Sequence, residues 1–206
     1  LFPNLLFQSR NKGIQLQFDF QNTLHPRIAI FKQSETYSFL NQLFIKEWQS
    51  LEQMCQVLSI NPVQIEEIIQ HLNTKLPQHY SVNIQLSPLV LKGAEEDIRA
   101  FYLDYFSQSY DFLDWPFPSI SEESLTNLIQ LFLDAQQVSP NLSSLRQIKY
   151  TLAINLERFN KSHLIENPTP LLTSHYSTLM QIPQFEENIK KMAKKLCFEP
   201  TMETLE

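Results

Sequence analysis

From Ser34 to Leu76 apolar residues return every third or fourth position, in three runs separated by polar breaks. Tyr37, Leu40, Phe44 and Trp48 make the first run and predict an amphipathic helix from Ser34 to about Trp48. Ser50 followed by Gln53 has the pattern of a capping box, opening a second helix with Leu51, Met54, Cys55 and Leu58 on its inner face. Asn61, Pro62 and Gln64 start a third helix in the same way, and its inward stripe is Ile65, Ile68, Ile69, Leu72 and Leu76. Only Ser59-Ile60-Asn61 separates the second from the third, the short turn that lets one helix brace another. The expected interior joins Leu40, Phe44, Leu58, Ile65, Ile69 and Leu72.

After Pro77 the period shortens to two. Val82, Ile84 and Leu86 alternate, Ser87-Pro88 turns, and Leu89 and Leu91 return, which predicts a small β-hairpin. Gly93 releases the chain into a fourth helix, roughly 94 to 113, with Ile98, Phe101, Tyr102, Tyr105 and Phe106 inward. Upstream, Ile14, Leu16, Phe18 and Phe20 alternate as a strand over 14 to 20; Pro26 breaks the connection, and Ile28, Ile30 and Phe31 lead into the next element. Downstream, Trp115-Pro116-Phe117-Pro118 is stiff and marks a domain boundary.

Beyond the boundary the strand pattern disappears. Ser119 and Glu122 read as a capping box for a helix to about Gln137, burying Leu125, Leu128, Ile129 and Phe132. A long helix after Pro140-Asn141 carries Leu145, Ile148, Leu152, Leu156 and Phe159. Asn167-Pro168 and Pro170 interrupt it, and shorter helices are expected around 171 to 181 and 184 to 197. The predicted fold is mainly α: a winged helix-turn-helix with a hairpin wing, followed by a helical bundle domain.

Composition narrows the chemistry. A net charge of −6 argues against a general nucleic-acid coat or a binder of anionic membranes. No apolar run approaches the roughly 20 residues of a membrane span. There is no signal peptide pattern, and a chain opening at Leu1 is expected to be a fragment of a longer protein. Cys55 and Cys197, both on apolar helical faces, suit buried thiols in a reducing cytoplasm. With Gly13 and Gly93 as the only glycines, a phosphate-binding loop or dinucleotide fingerprint is excluded. His25, His71, His79, His163 and His175 have no zinc spacing, no nucleophile elbow is present, and Glu66-Glu67 and Glu122-Glu123 read as solvated helix faces. No enzyme activity, metal or cofactor is expected.

The helix-turn-helix, the wing closing in Lys92-Gly93-Ala94-Glu95-Glu96-Asp97-Ile98-Arg99, and the aromatic helix ending at Trp115-Pro116-Phe117 together resemble the Mga-type virulence regulators of Gram-positive bacteria. The second half, through Leu156-Glu157-Arg158-Phe159 and His163-Leu164-Ile165-Glu166-Asn167-Pro168, is similar to a phosphotransferase regulation domain. The resemblance covers about residues 14 to 200. It implies two winged modules, two regulation domains and a domain similar to sugar-transport component IIB in the whole protein. On that reading residues 1–32 are the wing and linker of a preceding module and 33–93 the second winged helix-turn-helix. Residues 94–118 then form a connecting helix and linker, and 119–206 the first regulation domain.

The DNA-contacting candidates are Asn61, Val63, Gln64, Gln70, His71 and Lys75 on the third helix, with Lys92 at the wing. Gln64 suits adenine and Glu67 the cytosine amino group, although Glu67 also repels phosphate. Members of the family carry Ser, Thr and an Arg or Lys where this helix has Val63, Gln64 and Glu67. From Gln33 to Gly93 there are three lysines, no arginine and five glutamates, a net −2, so weak DNA binding by this fragment alone is expected. The family's phosphorylatable histidine precedes the Arg of the Leu-Glu-Arg-Phe run by seven residues, a position held here by Thr151; His163 is the candidate phosphosite instead, with His175 an alternative. The expected partners are DNA, a second copy as a homodimer, and phosphotransferase-system proteins, with no membrane. The competing reading is a protein-interaction or dimerisation module whose helix-turn-helix no longer grips DNA. A small-molecule-sensing helical domain is a third.

Overall fold

The structure, a computed structural model, describes residues 5–10, 13–18, 26–112 and 114–165. Strands β1 (Leu5–Arg10) and β2 (Gly13–Phe18) form an antiparallel hairpin with Leu5 opposite Phe18 and Arg10 opposite Gly13. The predicted strand thus acquires a partner from the first residues, while its last two positions, 19 and 20, lie outside the described residues. Pro26 does not merely break the chain; it opens helix α1 (Pro26–Lys32). Proline is at home there because its fixed φ suits a first turn whose N–H has no helical partner.

Helix α2 (Glu35–Ile45) starts where Ser34 Oγ accepts from Tyr37 N–H at 3.1 Å. It ends three residues before Trp48, which the periodicity had placed on it. Lys46 is fully extended, and Trp48 pairs across to Leu89, donating its N–H at 3.4 Å and accepting at 2.8 Å. Trp48 is as buried as predicted, but as an isolated β-bridge at the outer edge of the wing, with its indole N–H on the Gln42 carbonyl at 3.0 Å. Helix α3 (Leu51–Leu58) is capped by Ser50, whose Oγ accepts from Gln53 N–H at 3.4 Å, and closes on Ser59 at φ 55°. Helix α4 (Pro62–Lys75) has the full capping box predicted from Asn61 and Gln64, and passes into a short 3-10 turn at Leu76–Gln78.

Strands β3 (Asn83–Leu86) and β4 (Leu89–Lys92) form the wing, Ile84 opposite Leu91. Helix α5 (Glu95–Ser109) then runs back through the core, stopping four residues short of the predicted end because Tyr110 turns extended. The expected interior forms, with Leu40, Phe44, Ile65 and Ile69 buried and Leu58 and Leu72 packed partly buried at its margin. Phe39 and Leu43 are buried beside them.

The proline-rich stretch after α5 does not divide the core. Phe117 is 1% exposed and lies 4.9 Å from Phe106, 5.9 Å from Phe44 and 5.5 Å from Tyr150 of the last helix, ring centre to ring centre. Trp115 donates its indole N–H to the Ile120 carbonyl at 2.8 Å, and this turn delays the next helix. Helix α6 (Glu122–Gln136) is therefore capped by Ser121, which accepts from Ser124 N–H at 3.2 Å, and not by Ser119. Asn141 caps helix α7 (Leu142–Asn160) at 2.8 Å from Ser144 N–H. Its buried side is Tyr150, Ala153, Ile154, Leu156 and Arg158, whereas the predicted Ile148 is exposed. The stripe is rotated because α7 packs mainly against α5, with α6 a smaller contact. The expected helices around 171 to 181 and 184 to 197, with His175 and Cys197, lie outside the described residues. Cys55 is buried, which pushes its thiol pKa up and keeps it protonated.

Candidate nucleic-acid interface and its junction with the helical domain

Helix α4 turns Asn61, Val63, Gln64, Glu66, Glu67, Gln70, His71 and Lys75 to the outside, while Ile65 and Ile69 anchor its other face. Two of the candidates already serve the helix start. Asn61 Oδ1 accepts from Val63 N–H at 3.0 Å, and Gln64 Oε1 accepts from Asn61 N–H at 3.4 Å. A glutamine that reads adenine uses both its oxygen and its nitrogen. With its oxygen facing the cap, Gln64 offers a donor, and Gln70 one turn and a half further on is the freer amide.

The wing is fixed on both of its edges. Asn73, on the inner side of α4, donates Nδ2 to the Ile84 carbonyl at 3.0 Å and accepts the Ile84 N–H at 2.6 Å. Its side-chain amide thereby takes the place of a neighbouring strand, satisfying the outward backbone groups of β3. Trp48 does the same for β4 with its backbone. An exposed hairpin of two short strands is marginal on its own; here it is held to α4 on one side and to the end of α2 on the other. Lys92 is exposed at the end of β4, and Lys46 sits 3.9 Å over the Trp48 ring beside the wing. The sequence reading missed both Asn73 and Lys46. Asn73 falls next to the buried stripe at Leu72, the one available hint.

Next to the base of the wing, the last turn of α7 meets the helix-turn-helix module at Glu95. Arg158, 6% exposed, donates Nε and a terminal nitrogen to the two oxygens of Glu95 at 2.9 and 2.6 Å. Arg99 donates Nε to the same carboxylate at 2.8 Å and a terminal nitrogen to the His163 carbonyl at 2.9 Å. Burial works to raise the Glu95 pKa, but the two arginines outweigh it and hold the carboxyl below its usual range. Lys161 hydrogen-bonds the Phe44 carbonyl and lies 4.8 Å over the Phe44 ring.

The polar run Asn160-Lys161-Ser162 just before His163 predicts an exposed site. The His163 side chain is 25% exposed, and Nε2 is buried 3.1 Å from Glu47 Oε1 without hydrogen-bond alignment. Burial, followed by the nearby Arg158 charge, lowers its pKa, so the imidazole is neutral at neutral pH. Thr151 is exposed on α7. The structure therefore gathers the α4 candidates on one helix face, places Lys92 separately at the base of the wing, and sets His163 at the junction of the two halves.

Among the described residues no helix is long and apolar enough to cross a membrane. Residues 18–106 match the Mga helix-turn-helix domain, and residues 121–206 match the M protein trans-acting positive regulator (MGA) PRD domain. The chain is 32% identical over 80% of its length to a Streptococcus pneumoniae protein whose name is that of a trans-acting regulator, covering 34% of that protein. It is 28% identical over 90% of its length to an anthrax toxin expression trans-acting positive regulator of Bacillus anthracis, covering 39% of it. A capsule synthesis positive regulator of Bacillus anthracis is 22% identical over 76% of the chain and 33% of its own length. The chain thus spans about a third of the length of the curated relatives it matches. A winged helix-turn-helix joined through a shared core to a helical domain, each half matching its own model, makes this chain a member of the Mga family of trans-acting positive regulators.

Proposed function

We propose that the chain is the second winged helix-turn-helix and first regulation domain of a cytoplasmic transcriptional regulator, in which α4 and the wing approach DNA and the helical domain controls them. The observation that carries this reading is the anchored wing beside a fully capped α4. Two devices hold the wing, Asn73 on β3 and Trp48 on β4. Preorganised in this way, Asn61, Val63, Gln64, Gln70, His71 and Lys75 form one reading face with Lys92 as a phosphate contact.

Glu66 and Glu67 on that face leave a charge deficit, so this chain alone binds weakly and a preceding module supplies most phosphate contacts. The test is binding of a mixed-sequence duplex by this chain and by the full-length regulator at two salt concentrations. Weak binding with a shallow salt dependence is expected for the chain alone, with Glu67→Arg steepening the slope by roughly one phosphate contact. Nanomolar affinity of the isolated chain at physiological salt refutes the charge argument.

The second reading is a protein-interaction or dimerisation module. It is favoured by Val57 and Val63, both more than half exposed, close to Glu66 and Glu67 in sequence. If Gln70→Ala and Lys92→Ala leave DNA affinity of the full-length regulator unchanged, this reading replaces the first.

His163 is the proposed acceptor for phosphotransferase-system proteins. A neutral imidazole is the form that attacks phosphorus, and because Nε2 is buried against Glu47, transfer to it requires the end of α7 to open. Site mapping after incubation with the phosphotransferase enzymes and phosphoenolpyruvate tests it; labelling unchanged in His163→Ala removes His163 from the role.

A further inference from the structure

We propose that the Glu95–Arg158 pair is a latch through which the end of α7 sets the position of the wing, and that negative charge arriving at residue 163 opens it. The proposal rests on the reading of α4 and the wing as the output of the module.

The latch grips the chain on both sides of the wing. On the downstream side, Glu95 is the first residue of α5 and follows β4 after only Gly93 and Ala94. The N-cap of α5 is Ala94, which has no side-chain cap to give, so the carboxylate of Glu95 bonded to Arg158 restrains this helix start. Gly93 is packed hard against the wing base: a Cβ there would come within 2.6 Å of Val82 Cγ1. A displacement of Glu95 is therefore passed to the wing and not absorbed by slack.

On the upstream side, Lys161 holds the Phe44 carbonyl and His163 lies against Glu47. Phe44 and Glu47 lead into Trp48, whose backbone forms the wing's outer edge. The last turn of α7 therefore bears on the entry to the wing and on its exit at once.

The trigger follows from charge. Glu95 is shared by Arg158 and Arg99, so a competing anion can draw Arg158 away without leaving the carboxylate uncompensated. A phosphate carries about −1.5 to −2 charges and three acceptor oxygens. At residue 163 it would repel Glu47 and compete with Glu95 for Arg158 and with the Phe44 carbonyl for Lys161. Both grips loosen together.

Hydrogen exchange on the whole chain reads this directly, at the Ile84 and Leu89 amides of the wing and at Ala153 and Ile154 inside α7. In Arg158→Met the two wing amides are expected to exchange about tenfold faster while the α7 amides hold, the signature of local opening. Glu95→Gln, which keeps an acceptor and removes the charge, is the milder variant and is expected to move the same amides in the same direction. His163→Glu is expected to reproduce the effect and the neutral His163→Gln not to. Unchanged wing amides in folded Glu95→Gln and Arg158→Met overturn the latch; equal effects of His163→Glu and His163→Gln overturn charge as its trigger. Mixed-sequence duplex affinity, measured on the same variants of the full-length regulator, separates the two readings. Loosened wing amides with unaltered affinity uphold the latch and remove DNA as its output.

Discussion

Asn73 offers the sharpest test of how the wing is held. Asn73→Ala removes two hydrogen bonds, at 2.6 and 3.0 Å, and leaves both the N–H and the C=O of Ile84 without a partner. Ile84 itself is 3% exposed, but Asn73 is only half-buried, so water reaches part of the vacated space. Each bond contributes about 0.5–1.5 kcal/mol net, and an orphaned buried group costs about 1–3 kcal/mol, so with partial rehydration a loss of roughly 2 kcal/mol is expected. In a chain of this size that is a fall in Tm of about 4–8 °C. Urea unfolding should show a lowered midpoint at unchanged m. Asn73→Asp separates the two bonds: it keeps the acceptor for the Ile84 N–H and loses the donor to the carbonyl, now facing a second oxygen. Its stability should fall between wild type and Asn73→Ala. The Ile84 amide should lose exchange protection in Asn73→Ala more than in Asn73→Asp. A stability change below about 0.5 kcal/mol with Ile84 protection intact would show that the wing is held by its apolar contacts and that the amide bridge is incidental.

Phe44 touches Tyr102 and Phe106 with ring centres at 4.7 Å, so Phe44→Ala should cost about 3–5 kcal/mol by urea unfolding, and a loss under about 1 kcal/mol would contradict its central place. Gly93→Ala drives a methyl group to 2.6 Å from the stiff side chain of buried Val82 and should destabilise by about 1–3 kcal/mol, most visibly in exchange of wing amides; an unchanged midpoint would mean the wing base yields freely. Acid should weaken the junction through two groups with the same sign. The His163 pKa is lowered on folding, so its contribution is present above the ordinary histidine pKa near 6.5 and is lost as pH falls below it; that of Glu95, also lowered, is lost as pH falls through the carboxylate range. Urea midpoints measured from pH 7.5 down to about 4 should therefore decline, and His163→Gln should remove the upper part of the decline.

The sequence by itself determined most of the local architecture. Ser50 and Asn61 cap their helices as the chain pattern predicts, and Ser34 and Asn141 cap at the helix starts it marks, because a cap is made with backbone two or three residues away. The wing hairpin and the buried faces of α3 and α4 were legible for the same reason, since period and turn residues act over one or two turns of chain. The candidate DNA face was legible as the complement of a buried stripe. What the sequence left open is what each buried face meets. Trp48 reads as the last residue of a helix by spacing, yet Leu89, far along the chain, draws it into the wing. Ile148 fits a heptad-like stripe but is exposed, because packing against α5 turns α7 to another face. Ser119 had the right spacing for a cap, and the Trp115–Ile120 contact passed the role to Ser121. Asn73 looks like an ordinary polar helix residue, and Glu95 and Arg158 stand in separate runs with nothing in the sequence to join them. Only the tertiary structure gives them partners 11 and 63 residues away, since a hydrogen bond or ion pair between distant residues depends on where two elements dock. His163 belongs with them: polar neighbours in sequence suggested an open site, and the docking of α7 on the helix-turn-helix buried its reactive edge against Glu47.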